Sequence, residues 1–286
     1  MNIQWYPGHM VKAQKTIAKE LKLVDIIIEM LDARIPISSR NPEIDTIIGN
    51  KKSIIVLNKK DLADTEINKQ WEQFFKNKGM NAIFVDSLKG QGIKDFLIGC
   101  RRIMRDDIAR KKRKGIVHKT VRLVIIGIPN VGKSSFINKL ANRSIAKTGG
   151  VPGITKMKQW IKISKDFELL DTPGILWPKF DDEIVAQNLA FTGAIKDEIM
   201  DINELSKKFL LKALQEFPEK LNKRYSFHKT ESVDELLQFI GKKRGCLLSG
   251  GEVDVNRVSS LIIEDFRTGK LGKISLERPE YKGQEF

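Results

Sequence analysis

The segment Gly127-Ile128-Pro129-Asn130-Val131-Gly132-Lys133-Ser134 constrains this chain more than any other. It follows the β-branched run Val121–Ile126 and leads into a helix predicted from about Lys133. The two glycines let the backbone curl until successive N–H groups point at one anion, and the helix adds its positive N-terminal end. The spacing G-x-x-x-x-G-K-[ST] is that of a phosphate-binding loop, and strand before, helix after is the context that supports it. Lys133 is placed to reach the β- and γ-phosphates of a nucleotide, and the Ser134 hydroxyl to bind Mg²⁺. Asn130, Val131, Gly132 and Ser135 complete the expected cradle.

The rest of the chain extends this α/β pattern. Strands are predicted over Val24–Leu31, Ser53–Leu57 and Ala82–Val85, each short and apolar. Two more, around Met157–Ile163 and Phe167–Leu170, flank a hairpin turn at Ser164-Lys165-Asp166. Helices are predicted over Val11–Leu23 and Thr65–Lys78, and from about Ile93 into the basic segment Arg110–Gly115. Strands alternating with helices imply a mostly parallel sheet covered on both faces. After Pro178 the patterning turns helical, over Asp201–Glu216, Val233–Ile240 and Val255–Phe266. The expected organisation is an α/β domain over 1–178 and an all-helical domain over 179–286.

Asn58-Lys59-Lys60-Asp61 follows the second predicted strand and selects the base. A carboxylate at Asp61 can accept the N1–H and 2-amino protons of guanine together, which adenine cannot supply, and unpaired buried groups make such discrimination large. Asn58 is expected to brace the other purine edge, and the Lys59 stem to lie along the ring. Ser87-Leu88-Lys89, after the third strand, offers a backbone N–H to the guanine O6, although GTPases usually carry alanine where this chain has Leu88.

Asp171-Thr172-Pro173-Gly174 follows the strand Phe167–Leu170. Asp171 is expected to hold Mg²⁺ through water and the Gly174 N–H to meet the γ-phosphate. Between these and the phosphate loop lies Gly149-Gly150-Val151-Pro152-Gly153-Ile154-Thr155, offering Thr155 as a second Mg²⁺ hydroxyl; a plain turn is the alternative. The guanine motif thus precedes the phosphate loop, the reverse of the usual GTPase order. Circular permutation keeps the core contacts because domain termini often lie close together. The segment after Gly174 then runs straight into the helical region, which suggests a switch rather than a metabolic enzyme.

The net charge is +15, and it is unevenly placed. Residues 101–122 carry ten Lys/Arg against two acids, and residues 139–165 carry seven with none. Solvated faces account for such runs as well as a polyanion does, but two separated stretches favour an RNA or other polyanionic partner. Residues 201–286 are near balance, 16 Lys/Arg against 14 acids, so an RNA face there must be local. Cys100 and Cys246 sit far apart and without metal-ligand spacing, which fits buried thiols in a reducing compartment. No stretch approaches membrane-spanning length, and the start Met1-Asn2-Ile3-Gln4-Trp5 lacks a signal layout, so a cytoplasmic location is expected.

The permuted motif set, with Trp5-Tyr6-Pro7-Gly8-His9-Met10 and Asp32-Ala33-Arg34-Ile35-Pro36, closely resembles the bacterial ribosome biogenesis GTPase A family over essentially the whole chain. The resemblance implies a cytoplasmic factor that binds immature large (50S) ribosomal subunits, hydrolyses GTP and leaves, with its C-terminal helical domain touching rRNA; the chain itself is expected to be a monomer. Lys220, Lys223, Arg224 and Lys229, or Lys242-Lys243-Arg244, are candidates for that contact. Ile175 stands where many GTPases carry a water-orienting glutamine, so free hydrolysis should be slow. The resemblance suggests His9 as the water-positioning group, a neutral imidazole having a suitable acceptor; a packing or RNA-contacting His9 is the alternative. Asn130 resembles the loop asparagine of potassium-activated GTPases, where K⁺ bridges the phosphates, or it merely satisfies the loop. A GTP-binding RNA assembly scaffold with little turnover remains a second functional reading, and a P-loop ATPase conflicts with Asn58–Asp61.

Overall fold

The computed structural model describes residues 21–115, 119–142, 160–170, 182–195, 197, 200–227 and 232–279. The chain divides into two compact units, Met1–Asp182 with Ser275–Phe286, and Glu183–Ile274.

The first unit is built on a six-stranded sheet: β1 (Ile26–Asp32), β2 (Lys52–Asn58), β3 (Ala82–Phe84), β4 (Val121–Ile126), β5 (Trp160–Lys162) and β6 (Phe167–Leu170). The strand order is β3-β2-β1-β4-β6-β5, parallel throughout except for β5 against β6. Every residue of β1 is buried, as expected of a central parallel strand covered on both faces. Helices α1 (Ile44–Ile48), α2 (Thr65–Asn77), α3 (Ile93–Arg113) and α4 (Lys133–Ala141) accompany the sheet. Asp64 caps α2 by accepting from the Glu66 and Ile67 amides, and the Trp71 and Phe75 rings of that helix stack 5.7 Å apart in the core beside Leu31 and Leu57. Cys100 is buried and unpaired, and burial pushes its thiol up to about 12.

Parallel strands deliver their following loops to one edge of the sheet, where ligands of open α/β folds bind. The loops after β1, β2, β3 and β4 all emerge there. The registers Asp32↔Asn58 and Leu57↔Phe84 set the first three side by side, and β1 lies directly between β2 and β4.

The second unit is helical: α5 (Glu183–Phe191), α6 (Ile202–Glu216), α7 (Pro218–Tyr225), α8 (Val233–Lys243) and α9 (Val255–Arg267). Phe209 is its hub, with ring centroids 5.4 Å from Phe191, 6.2 Å from Phe217 and 4.9 Å from Phe266. Asp265 on α9 is 2% exposed, and its carboxylate accepts from Arg224 Nε at 2.8 Å and Tyr225 Oη at 3.1 Å. Cys246 is buried here, also unpaired.

Two expectations need correction. The helical region does not extend to the C-terminus, because the chain leaves it after Ile274 and packs against the first unit. The Leu276 amide donates to the Arg34 carbonyl at 2.9 Å, and the Trp71 indole N–H to the Glu277 carbonyl at 3.3 Å. Arg224, proposed for RNA contact, is instead committed to the buried Asp265 carboxylate, which needs a counter-charge. Lys223, Lys242 and Lys243 remain exposed, while Lys229 lies outside the described residues. So does most of the helix expected over Val11–Leu23.

Candidate nucleotide-binding site

The loop after β4 carries the phosphate-binding pattern, and its glycines are sterically required. A Cβ on Gly132, whose φ is +102°, would stand 2.2 Å from Asn58 Nδ2. One on Gly127 would stand 2.5 Å from the Met30 carbonyl oxygen. Asn130 holds a left-handed φ of 57° and is exposed. Lys133 Nζ donates to the Gly127 and Ile128 carbonyls at 2.8 and 2.6 Å, which stations the ammonium within the loop's own curl. Ser134 and Ser135 lie in the first turn of α4, half-buried, beside the helix's unsatisfied amides.

Asn58 joins this loop to the base-selecting motif. Its side-chain amide donates to the Val131 carbonyl at 2.8 Å, and its Oδ1 accepts from the Ser87 amide at 3.2 Å and the Ser87 hydroxyl at 2.6 Å. One buried asparagine therefore ties together the loops after β2, β3 and β4. The residue expected to brace the purine also braces the protein, a contact the sequence gives no means of reading.

Lys59 takes a left-handed φ of 60°, and its Nζ lies 3.0 Å from Asp32 Oδ2. The ammonium is thus anchored on the Asp32 carboxylate. Asp61 is half-buried, and among the described residues no hydrogen bond or ion pair occupies its carboxylate. An acceptor pair left over at a crowded loop edge suits the paired N–H groups of guanine.

The turn after β3 is held by Asp86. The Leu88 amide, assigned to the guanine O6, donates to Asp86 Oδ1 at 2.9 Å, and the Lys89 amide does the same at 2.9 Å. Reading O6 through Leu88 therefore requires that amide to share its bond with the Asp86 carboxylate. Leu88 itself is 76% exposed. An aspartate two residues before the amide it receives is a recurrent turn device, so Asp86 was detectable from sequence.

Four further assignments, His9, Thr155, Asp171 and Gly174, lie outside the described residues. The structure thus brings together Asn58, Lys59, Asp61, Ser87, Leu88 and the 130–135 loop, and says nothing of the remaining Mg²⁺ ligands.

Comparison with known proteins gives the family. The family model described as "50S ribosome-binding GTPase" matches residues 122–238. A ribosome biogenesis GTPase A from Bacillus cereus is 48% identical over 286 residues, 100% of this chain and 97% of that protein. The Thermotoga maritima protein of the same name is 34% identical over 278 residues, 97% of this chain and 95% of its own. The crystal structure of GNP-bound YlqF from T. maritima superposes with a TM-score of 0.69 at 29% identity, covering 94% of this chain and 99% of that one.

Proposed function

Because the chain belongs to the ribosome biogenesis GTPase A family of circularly permuted GTPases, we propose that it acts as a GTP-driven switch in assembly of the large ribosomal subunit. One observation carries the nucleotide half of this reading: Asn58 bonds both the phosphate loop and the Ser87 turn. Three of the motif segments, the loops after β2, β3 and β4, are thereby tied at one end of the sheet, which supports a single cradle. The ribosomal half rests on the family's role in ribosome biogenesis and on the Lys/Arg-rich α3, exposed over much of its length.

In the mechanism, Asp61 selects guanine by accepting its N1–H and 2-amino protons. The amides of 130–135 and the Lys133 ammonium hold the phosphates. The donor set Ser134, Thr155 and Asp171 is all hard oxygen, which suits Mg²⁺. Bound there, the ion would neutralise charge developing on the β- and γ-phosphate oxygens. With isoleucine at 175, the chain lacks the usual water-orienting glutamine. His9 supplies an acceptor nitrogen for the attacking water, and the large subunit completes the arrangement. K⁺ held by Asn130 would add positive charge at the phosphates. The protein works as a monomer in the cytoplasm, with rRNA its macromolecular contact.

The test is GTP hydrolysis by the full chain in KCl, with and without purified large subunits and with ATP as control. GTP-only stimulation by subunits is the expected result. Guanine binding without stimulation would replace the switch with a scaffold of little turnover. Replacing KCl by NaCl at equal ionic strength should slow the reaction, and an unchanged rate removes the potassium ion. His9→Ala should lower stimulated turnover with GTP affinity kept, and unchanged turnover would remove His9 from the mechanism.

A further inference from the structure

The motif Asp32-Ala33-Arg34-Ile35-Pro36 has no part in the mechanism above, yet the structure places it against the base-selecting motif. Asp32 is 1% exposed. Its carboxylate accepts from Arg34 at three points: the amide at 3.0 Å, Nε at 3.0 Å and Nη2 at 2.8 Å. Burial works to raise this carboxyl, but Arg34 and Lys59 outweigh it and hold it well below the usual carboxylate range. The charge so preserved is the one that holds Lys59 Nζ at 3.0 Å. The backbones are also joined, the Ala33 amide donating to the Asn58 carbonyl at 2.8 Å.

The loop carrying Asp32 is closed on itself and then clamped from far along the chain. The Asp32 amide donates to Ser39 Oγ at 3.1 Å, and Ser39 Oγ donates to the Ile35 carbonyl at 2.7 Å. Glu277, 4% exposed, spreads its carboxylate over the other side of the loop. It accepts from the Ile37 amide at 2.6 Å, the Ser38 amide at 3.0 Å and the Ser38 hydroxyl. Two adjacent amides and a hydroxyl aimed at one carboxylate form a charge-assisted clasp.

We propose that the Asp32–Ser39 loop is a positioning device for guanine recognition, in which Asp32 fixes Lys59 and Glu277 fixes the loop. The proposal rests on the guanine reading of Asn58–Asp61. Neither residue touches the nucleotide. Their effect is to hold the left-handed Lys59 and the Asn58 carbonyl in place, so that Asp61 meets the base without a conformational search.

The experiment uses the full-length protein, a fluorescent GDP with ADP as competitor, and steady-state GTP hydrolysis. Glu277→Gln keeps the shape but turns an amide NH₂ toward a donor; Asp32→Asn keeps the shape and loses the negative charge that holds Lys59. Glu277→Gln should raise the KM for GTP about fivefold, far more than it lowers kcat, and Asp32→Asn should weaken GDP about tenfold. A merely structural role would cut the active fraction and so kcat, with KM unchanged, and that result overturns the proposal. So does unchanged GDP affinity in the Asp32→Asn protein, which serves if the Glu277 variant fails to fold. If the wild-type protein shows no preference for GDP over ADP, the guanine site itself is wrong and the positioning device falls with it.

Discussion

In the α/β unit the buried polar side chains Asp32, Asn58, Asp86 and Ser87 collect where β1, β2 and β3 end, whereas in the helical unit Asp265 and its partners lie between helices. Most of the first group hold loop backbone, Asn58 the Val131 carbonyl and the Ser87 amide, Asp86 the Leu88 and Lys89 amides, while Asp32 takes the Arg34 amide together with the Arg34 and Lys59 side chains. The second bonds side chain to side chain, Arg224 and Tyr225 to Asp265. Buried polarity in the one unit fixes the shape of ligand-bearing loops, and in the other it locks packing. A substitution in the first should therefore appear in nucleotide binding, and one in the second in stability.

The largest effect should come from breaking the helical lock. Asp265→Ala leaves Arg224 and the Tyr225 hydroxyl without their acceptor and should cost about 3–5 kcal/mol. Chemical denaturation monitored by circular dichroism would show this as early loss of helix, with GDP affinity kept. Equal loss of GDP affinity would erase the distinction between the units.

Gly132→Ala should act in the opposite sense. Its Cβ, 2.2 Å from Asn58 Nδ2, would force the asparagine or the loop to move. A loss of GDP affinity of about 100-fold, roughly 2.7 kcal/mol, is expected by titration, with helical melting preserved.

Glu29 tests the α/β core through pH. Burial raises its carboxyl to about 7 against opposition from Arg40, with Asp45 raising it further. A folded-state value above the unfolded one means that the folded state binds the extra proton, so stability falls as pH rises from about 4.5 to about 7. Removing this titration with Glu29→Gln should make the variant gain roughly 2–3 kcal/mol on wild type between pH 5 and pH 8. Parallel pH profiles in urea denaturation would contradict the assignment.

The smallest effect is Ser87→Ala, which deletes the 2.6 Å bond to Asn58 and should weaken GDP about fivefold, near 1 kcal/mol. No change would mean that Asn58 needs only Val131.

Much of this was legible in the sequence because strands such as Val121–Ile126 are short apolar runs that end on chemistry-bearing loops. The α3 and α4 starts were equally plain. Helix α1 has five residues and α7 eight, too short for a pattern to stand out, although Leu221 and Tyr225 of α7 repeat at i, i+4 and are buried. Glu277 could not be read as a partner of Ser38, 239 positions away, since no local pattern encodes a long-range clasp. Arg224 looked like a surface cation for the same reason: its partner Asp265 is 41 positions distant. Of the site, the guanine and phosphate motifs were visible as spacing, and the Asp86 turn could be read from an aspartate two residues ahead of Leu88, whereas the Asn58 bridge to Val131, 73 positions away, required coordinates.

The most direct measurement is the nucleotide preference of Asp61→Asn beside wild type, by competition of GDP, XDP and ADP against a fluorescent guanine nucleotide. Xanthine carries a carbonyl where guanine carries its 2-amino group, so an asparagine can donate where the aspartate accepted. The expected result is a wild type selective for GDP and a variant that loses GDP by at least about 100-fold while gaining XDP. A variant that binds GDP as wild type does, or a wild type that takes ADP equally well, would contradict it.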